Sequence, residues 1–246
     1  MGRPSLPSSL SATRIVVPGA PVAVGQVLVP KEASHHARVA RVREGDRVEV
    51  LDLEGTVGLG RLVSWTGDRC LIEVESLQHD RGEPPEPLVL ALGLLHTAAF
   101  DWAVEKATEL GVTAIVPVRC GRVQGRIASP RRDRWNRVAT AAVAQCGRSR
   151  VPRMHELVSF ERLLAEARGG RLVAHAGAAM PPAPLRTEGA GITVLVGPEG
   201  GLTDREVAEA LDAGFLAVPL GARTLRAETA AVASIIVAQQ LAGWLD

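Results

Sequence analysis

The 246-residue chain is short of lysine, cysteine and long apolar runs, and each shortage narrows its reading. Lys31 and Lys106 are the only lysines among 28 basic residues, so the positive charge is almost all arginine. Arginine grips phosphate through a planar fork, which suits RNA, although a coding bias toward arginine gives the same count. The three cysteines, Cys70, Cys120 and Cys146, form no C-x-x-C pair and imply a reducing cytoplasm rather than a disulfide framework. None of the six histidines stands at zinc-ligand spacing from them, so no metal is expected. The N-terminus lacks a charged start followed by a long apolar stretch, which argues against a secretory signal. The longest apolar tract, near 230–238, is alanine-rich and too short to cross a bilayer, so no membrane partner is expected. Neither G-x-G-x-x-G nor a phosphate loop ending in Lys-Ser/Thr occurs, and no internal repeat is visible.

What is present describes an ordinary folded protein, 46% hydrophobic and 22% charged, with length for one large or two small domains. The net charge is only +1, but its distribution is uneven. Residues 119–153 carry ten arginines against one acid, Asp133. Short alternating runs at Arg14–Val17, Gln26–Val29, Asp46–Asp52, Thr56–Ser64 and Arg69–Glu75 predict strands, with a helix over Glu32–Val42. That spacing suggests a small β-barrel spanning 1–77. Arg38 and Arg41 on the helix fit either an RNA contact or a solvated face. The polar, proline-rich stretch 78–87 reads as a linker.

From residue 88 the signals change to alternating strands and helices. Strands are expected at Leu88–Leu95, Val112–Val118 and Leu172–His175, and helices at Asp101–Leu110 and Pro130–Cys146. On the latter helix Arg131, Arg134 and Arg137 should face outward, as candidates for phosphate. Glu105 and Glu109 fit a surface pair better than an acid/base pair. Cys146 lacks a histidine partner in sequence and is not read as a nucleophile.

The densest signal lies in 192–241. An apolar strand, Ile192–Val196, breaks into Gly197-Pro198-Glu199-Gly200-Gly201. A helix with capping-box spacing (Thr203, Glu206) follows, then an apolar run to Leu220, Gly221, and a last helix opened by Leu225-Arg226-Ala227-Glu228. Two glycine loops after two strands should be neighbours lining one crevice at the strands' carboxyl ends. Glycine there allows backbone to approach a ligand closely.

VGPEGGLTDREV, LRAETA, EKATELGVTAIVP (105–117) and AQCGRSRVP (144–152) together resemble the ribosomal RNA small subunit methyltransferase E family, of the SPOUT class. The resemblance is strongest across 88–246. It implies an α/β domain with a trefoil knot at 88–246, preceded by a PUA-like RNA-binding β-barrel, and a homodimer. The implied activity is methyl transfer from S-adenosylmethionine to N3 of a uridine in 16S ribosomal RNA of the small subunit. Val196, Gly197, Pro198, Glu199, Gly200, Gly201, Leu220, Gly221, Leu225 and Arg226 would then hold the cofactor. Arg226 and Glu228 would act at the reacting base, with Gln145 and Arg148 near the target nucleotide; Arg148 is also a candidate RNA contact. Glu228 equally fits charge complementarity at a helix start. Two departures bear on RNA contacts. His96-Thr97-Ala98-Ala99-Phe100 replaces a basic segment of the family, and Ala144 stands where an acid is common. The competing readings are a non-catalytic RNA-binding module, a SPOUT enzyme acting on another RNA, and a Rossmann-like nucleotide enzyme. A module would not need the two glycine loops, and a Rossmann enzyme would need a glycine-rich loop after Leu88–Leu95.

Overall fold

The computed structural model describes residues 12–123, 132–181 and 184–245. The chain divides into two compact units. The first comprises residues up to Gly82 together with Val143–Arg150; the second comprises Glu83–Ala142 and everything from Val151 onward.

In the first unit, β1 (Thr13–Val16) and β2 (Gly25–Leu28) precede α1 (Lys31–Val39), then β3 (Arg47–Leu51), β4 (Thr56–Thr66) and β5 (Arg69–His79) follow. The strands form one sheet in the order β1-β3-β4-β5-β2. The closed barrel suggested by strand spacing is not what pairs here: β1 and β2 are edges, so the sheet stays open. Register explains the core. On β5, Cys70, Ile72 and Val74 are fully buried, and with Ile15, Val48, Val50 and Leu62 they make one apolar cluster. Ala33 and Ala37 of α1 pack against it.

Glu49 is the exception to alternation, for it points to the other face yet is buried. Arg81 and Arg14 surround its carboxylate at 2.7 and 3.0 Å. The same guanidiniums donate onward, Arg14 to the carbonyls of Ala144 and Gln145, and Arg81 to that of Gly147 at 3.0 Å. One buried carboxylate thereby pins Val143–Arg150 to this sheet.

The second unit holds β6 (Leu88–Gly93), α2 (Thr97–Glu109), β7 (Ala114–Arg119), most of α3 (Arg132–Cys146), β8 (Arg153–Met154), β9 (Val158–Ser159) and α4 (Phe160–Glu166). It continues through β10 (Gly170–Ala174), β11 (Ile192–Val196), α5 (Asp204–Asp212), β12 (Leu216–Val218) and α6 (Ala227–Leu241). The strands are all parallel, in the order β12-β10-β11-β6-β7-β8, with β9 also on β7. A parallel sheet covered on both faces needs apolar runs rather than alternation, and β11 is buried throughout. Leu88, Leu90, Leu92 and Val194 meet α2, α3 and α6 on one face, where Phe100 stacks on Trp135 at 4.2 Å. Ala91, Val118, Val173 and Leu195 meet α4 and α5 on the other.

Leu185, buried in the same apolar cluster as Ala231, Ile235 and Ala238 of α6, donates its N–H to the Leu241 carbonyl at 2.7 Å. α2 begins four residues earlier than the apolar pattern predicts, and Glu199 accepts the N–H of its N-cap residue, His96. β8 and β9, two residues each, were too short to leave a period in the sequence.

Candidate functional site

Three strands of the second unit, β10, β11 and β12, end together, and their following loops enclose a cavity of about 350 Å³. Its wall contains the whole run Val196–Leu202, then Leu220, Gly221, Arg223, Thr224 and Leu225, with Ala227 and Ala230 from α6. The two glycine loops are thus neighbours, as the crevice argument requires. Ala174, His175 and Ala176 complete the wall from the end of β10. Sequence reasoning did not single these three out, although their signal was available: they follow the strand hydrogen-bonded beside β11.

The loop after β11 is fixed by close packing. A Cβ on Gly93 would stand 2.5 Å from the Pro198 nitrogen, and one on Gly200 would stand 2.7 Å from the Arg122 carbonyl oxygen. Gly201 closes the turn at φ +70° and donates its N–H to the Pro198 carbonyl. The Glu199 carboxylate accepts from the His96 backbone and from its Nδ1, at 2.9 and 2.8 Å. Burial alone would raise the Glu199 carboxyl, but these bonds outweigh it and hold it below its ordinary range. His96 therefore braces the glycine loop.

α5 starts with the expected capping box, and its Glu206 does more than cap. Its carboxylate accepts from Thr203 and, at 2.7 Å, from the N–H of Gly121 in the loop after β7. Arg122 in that loop donates to the Leu202 carbonyl at 3.2 Å. Beside them Cys120 is buried, and burial followed by the Glu206 charge pushes its thiol up to about 12, which excludes a thiolate nucleophile at neutral pH.

Of the residues expected around the base, Arg226 is the N-cap residue of α6, exposed and outside the cavity wall, and Glu228 is half-buried in the first helical turn. Neither makes a side-chain hydrogen bond or ion pair among the described residues. Arg226, expected among the cofactor-binding residues, is not part of this cavity's lining, although Leu225 and Ala227 on either side of it are. Gln145 and Arg148 belong to the first unit, Gln145 exposed and Arg148 buried. Buried as it is, Arg148 offers little surface to phosphate.

Arg38 lies over the Trp65 ring at 4.6 Å and donates to the Gly67 carbonyl, while Arg41 sits past the end of α1 at φ +58°. Both are exposed, Arg38 on α1 and Arg41 beyond its end rather than on the expected helix. Arg134 is exposed and paired with Asp101, its Nε donating at 2.6 Å; Arg137 is exposed; Arg131 lies outside the described residues. Among the described residues no group of three or more His, Cys, Asp or Glu could hold a metal.

Comparison with known proteins agrees with this geometry. Residues 82–239 match the RNA methyltransferase domain and 29–75 the RNA methyltransferase PUA domain. Ribosomal RNA small subunit methyltransferase E of Synechocystis is 32% identical over 91% of this chain and 76% of its own length. That of Bacillus subtilis is 28% identical over 81% and 84%. The crystal structure of the Neisseria gonorrhoeae protein bound to S-adenosyl methionine superposes with a TM-score of 0.82, at 30% identity, covering 94% of this chain and 98% of that one.

Proposed function

As a member of the ribosomal RNA small subunit methyltransferase E family, the chain is an S-adenosylmethionine-dependent methyltransferase of ribosomal RNA, and we propose that it methylates N3 of a uridine in 16S rRNA. The observation that carries the reading is the meeting of the two glycine loops around one cavity. Its volume of about 350 Å³ suits a small cofactor. Its glycine-rich lining leaves backbone N–H and C=O groups of 196–201 and 220–225 open to an adenine ring and a methionine tail. When bound, S-adenosylmethionine supplies an electrophilic methyl group, and its transfer is an in-line displacement.

The chain's own work is then positioning and the handling of one proton. A uridine N3 is nucleophilic only after its proton leaves. Arg226, unpaired among the described residues at the start of α6, is suited to stabilise the resulting anion. Glu228 one position beyond Ala227 accepts the proton or orients Arg226. The same reading includes a trefoil knot, supported by the bond from the Leu185 N–H to the Leu241 carbonyl of α6. It also includes a homodimer, supported by the exposed Ile236 on α6 and Trp102 on α2, and a cytoplasmic location. Among the described residues no helix is long and apolar enough to cross a membrane.

Single-turnover methylation of small ribosomal subunits tests the assignment. Arg226→Ala should slow methyl transfer about 10²-fold with little change in cofactor affinity, and higher pH should restore part of the rate. A near wild-type rate would remove Arg226 from the reaction. With Glu228→Gln, loss of most activity marks the proton acceptor and partial retention marks an orienting group.

A further inference from the structure

At the opposite, amino-terminal end of the parallel sheet lies a second cavity of about 470 Å³, larger than the one at the glycine loops. Thr193 borders this cavity and Gly197 the other; four residues of extended chain, roughly 13 Å, separate them along β11. The two are therefore distinct sites on one unit.

The floor of this cavity is apolar, formed by Val89, Val116, Met154 and Val158. Thr193, the single polar residue in the otherwise apolar β11, is turned toward it. Arg132, Arg153, Arg162 and Arg168 stand around the floor against only two carboxylates, Glu156 and Glu166. Both carboxylates are already committed, Glu156 to Arg132 and Glu166 to Arg162. Arg168 donates only to the carbonyls of Ala165 and Ala167, at 2.7 and 2.9 Å. The Arg153 backbone N–H is taken by the Thr113 carbonyl, but its exposed side chain makes no hydrogen bond or ion pair among the described residues. Among the described residues these two guanidiniums have no carboxylate partner. His155 on the same wall has its pKa lowered, first by burial and then by the charges of Arg153 and Arg132, so it stays neutral at pH 7 and the field there is positive.

We propose that this cavity is a second RNA-binding site, which seats a nucleotide of the substrate strand away from the one being methylated. Its phosphate is held by Arg153 and Arg168, and its base or ribose covers the apolar floor. This combination of cationic rim and apolar platform is what single-stranded nucleic acid needs, and a fork-shaped donor fits a phosphate bidentately. The proposal rests on the reading of the chain as an enzyme of ribosomal RNA, and adds where else it grips that RNA.

The test uses the full chain, a single-stranded RNA oligonucleotide containing 4-thiouridine, and the double variant Arg153→Gln, Arg168→Gln. Both side chains are exposed, so the fold should persist, and unchanged S-adenosylmethionine affinity by calorimetry verifies it. RNA affinity by fluorescence anisotropy should fall about tenfold at low salt, with the slope of log K against log salt shallower by about 1 to 2. Photocrosslinks of the wild-type chain should map to peptides within 153–168. Unchanged RNA affinity and slope, or crosslinks confined to other peptides, would overturn this site while leaving the methyltransferase reading intact. A wild-type chain that binds cofactor but no RNA would overturn both.

Discussion

Gly93 ends β6 against the backbone of Gly197 and Pro198, with no room for a side chain. The neighbouring atoms are main chain, so a methyl group there cannot be relieved by a rotamer change. Gly93→Ala should therefore push the loop after β11 out of place and weaken S-adenosylmethionine binding tenfold or more, in a chain whose circular dichroism is unchanged. Wild-type affinity by calorimetry would show that the loop's position does not matter to the cofactor. Gly221 is a different case: a Cβ would meet nothing, but φ is +99°, so the constraint there is conformational. The same residue type serves two physical purposes in the two loops, and the sequence alone does not tell them apart.

Among the elements, α6 depends on a segment far from it in sequence. The Leu185 side chain is buried against α6, and its N–H caps the Leu241 carbonyl near the helix end. Leu185→Ala should destabilise the second unit by about 2 kcal/mol or more in urea titrations and speed amide exchange in α6. Equal exchange in α6 would mean that the connection merely passes by. This contact also marks a limit of sequence reading. Ile192–Val196 is read residue for residue, because a strand buried on both faces declares itself by an apolar run ending in glycine. The small-residue stretch before it carries no period, and Leu185 finds its partner only in three dimensions. The site divides likewise. Its two glycine loops are legible from strand–loop–helix order, whereas the His96–Glu199 brace and the bond from Gly121 to Glu206 join residues 103 and 85 positions apart.

On the scale of the whole molecule, the first unit is assembled from two separate stretches of sequence, and Glu49 is where they are fastened. Burial alone would raise its carboxyl, but hydrogen bonds from Arg81 and Arg14 prevail and keep it below the ordinary range. Such a carboxylate contributes stability that is fully present above its unfolded pKa, about 4.3, and is lost as pH falls through the lower folded value. Glu49→Gln should accordingly lower the urea midpoint at pH 7, and the gap from wild type should narrow as the pH is taken down toward 3. A gap constant over that range would show that the charge is not what fastens Val143–Arg150. The second unit carries a consequence of another kind, because the cavity at the glycine loops takes its wall from Ala174 through Ala230. Translation delivers those residues in order, so the cavity has no complete wall until Ala230 has left the ribosome's exit tunnel.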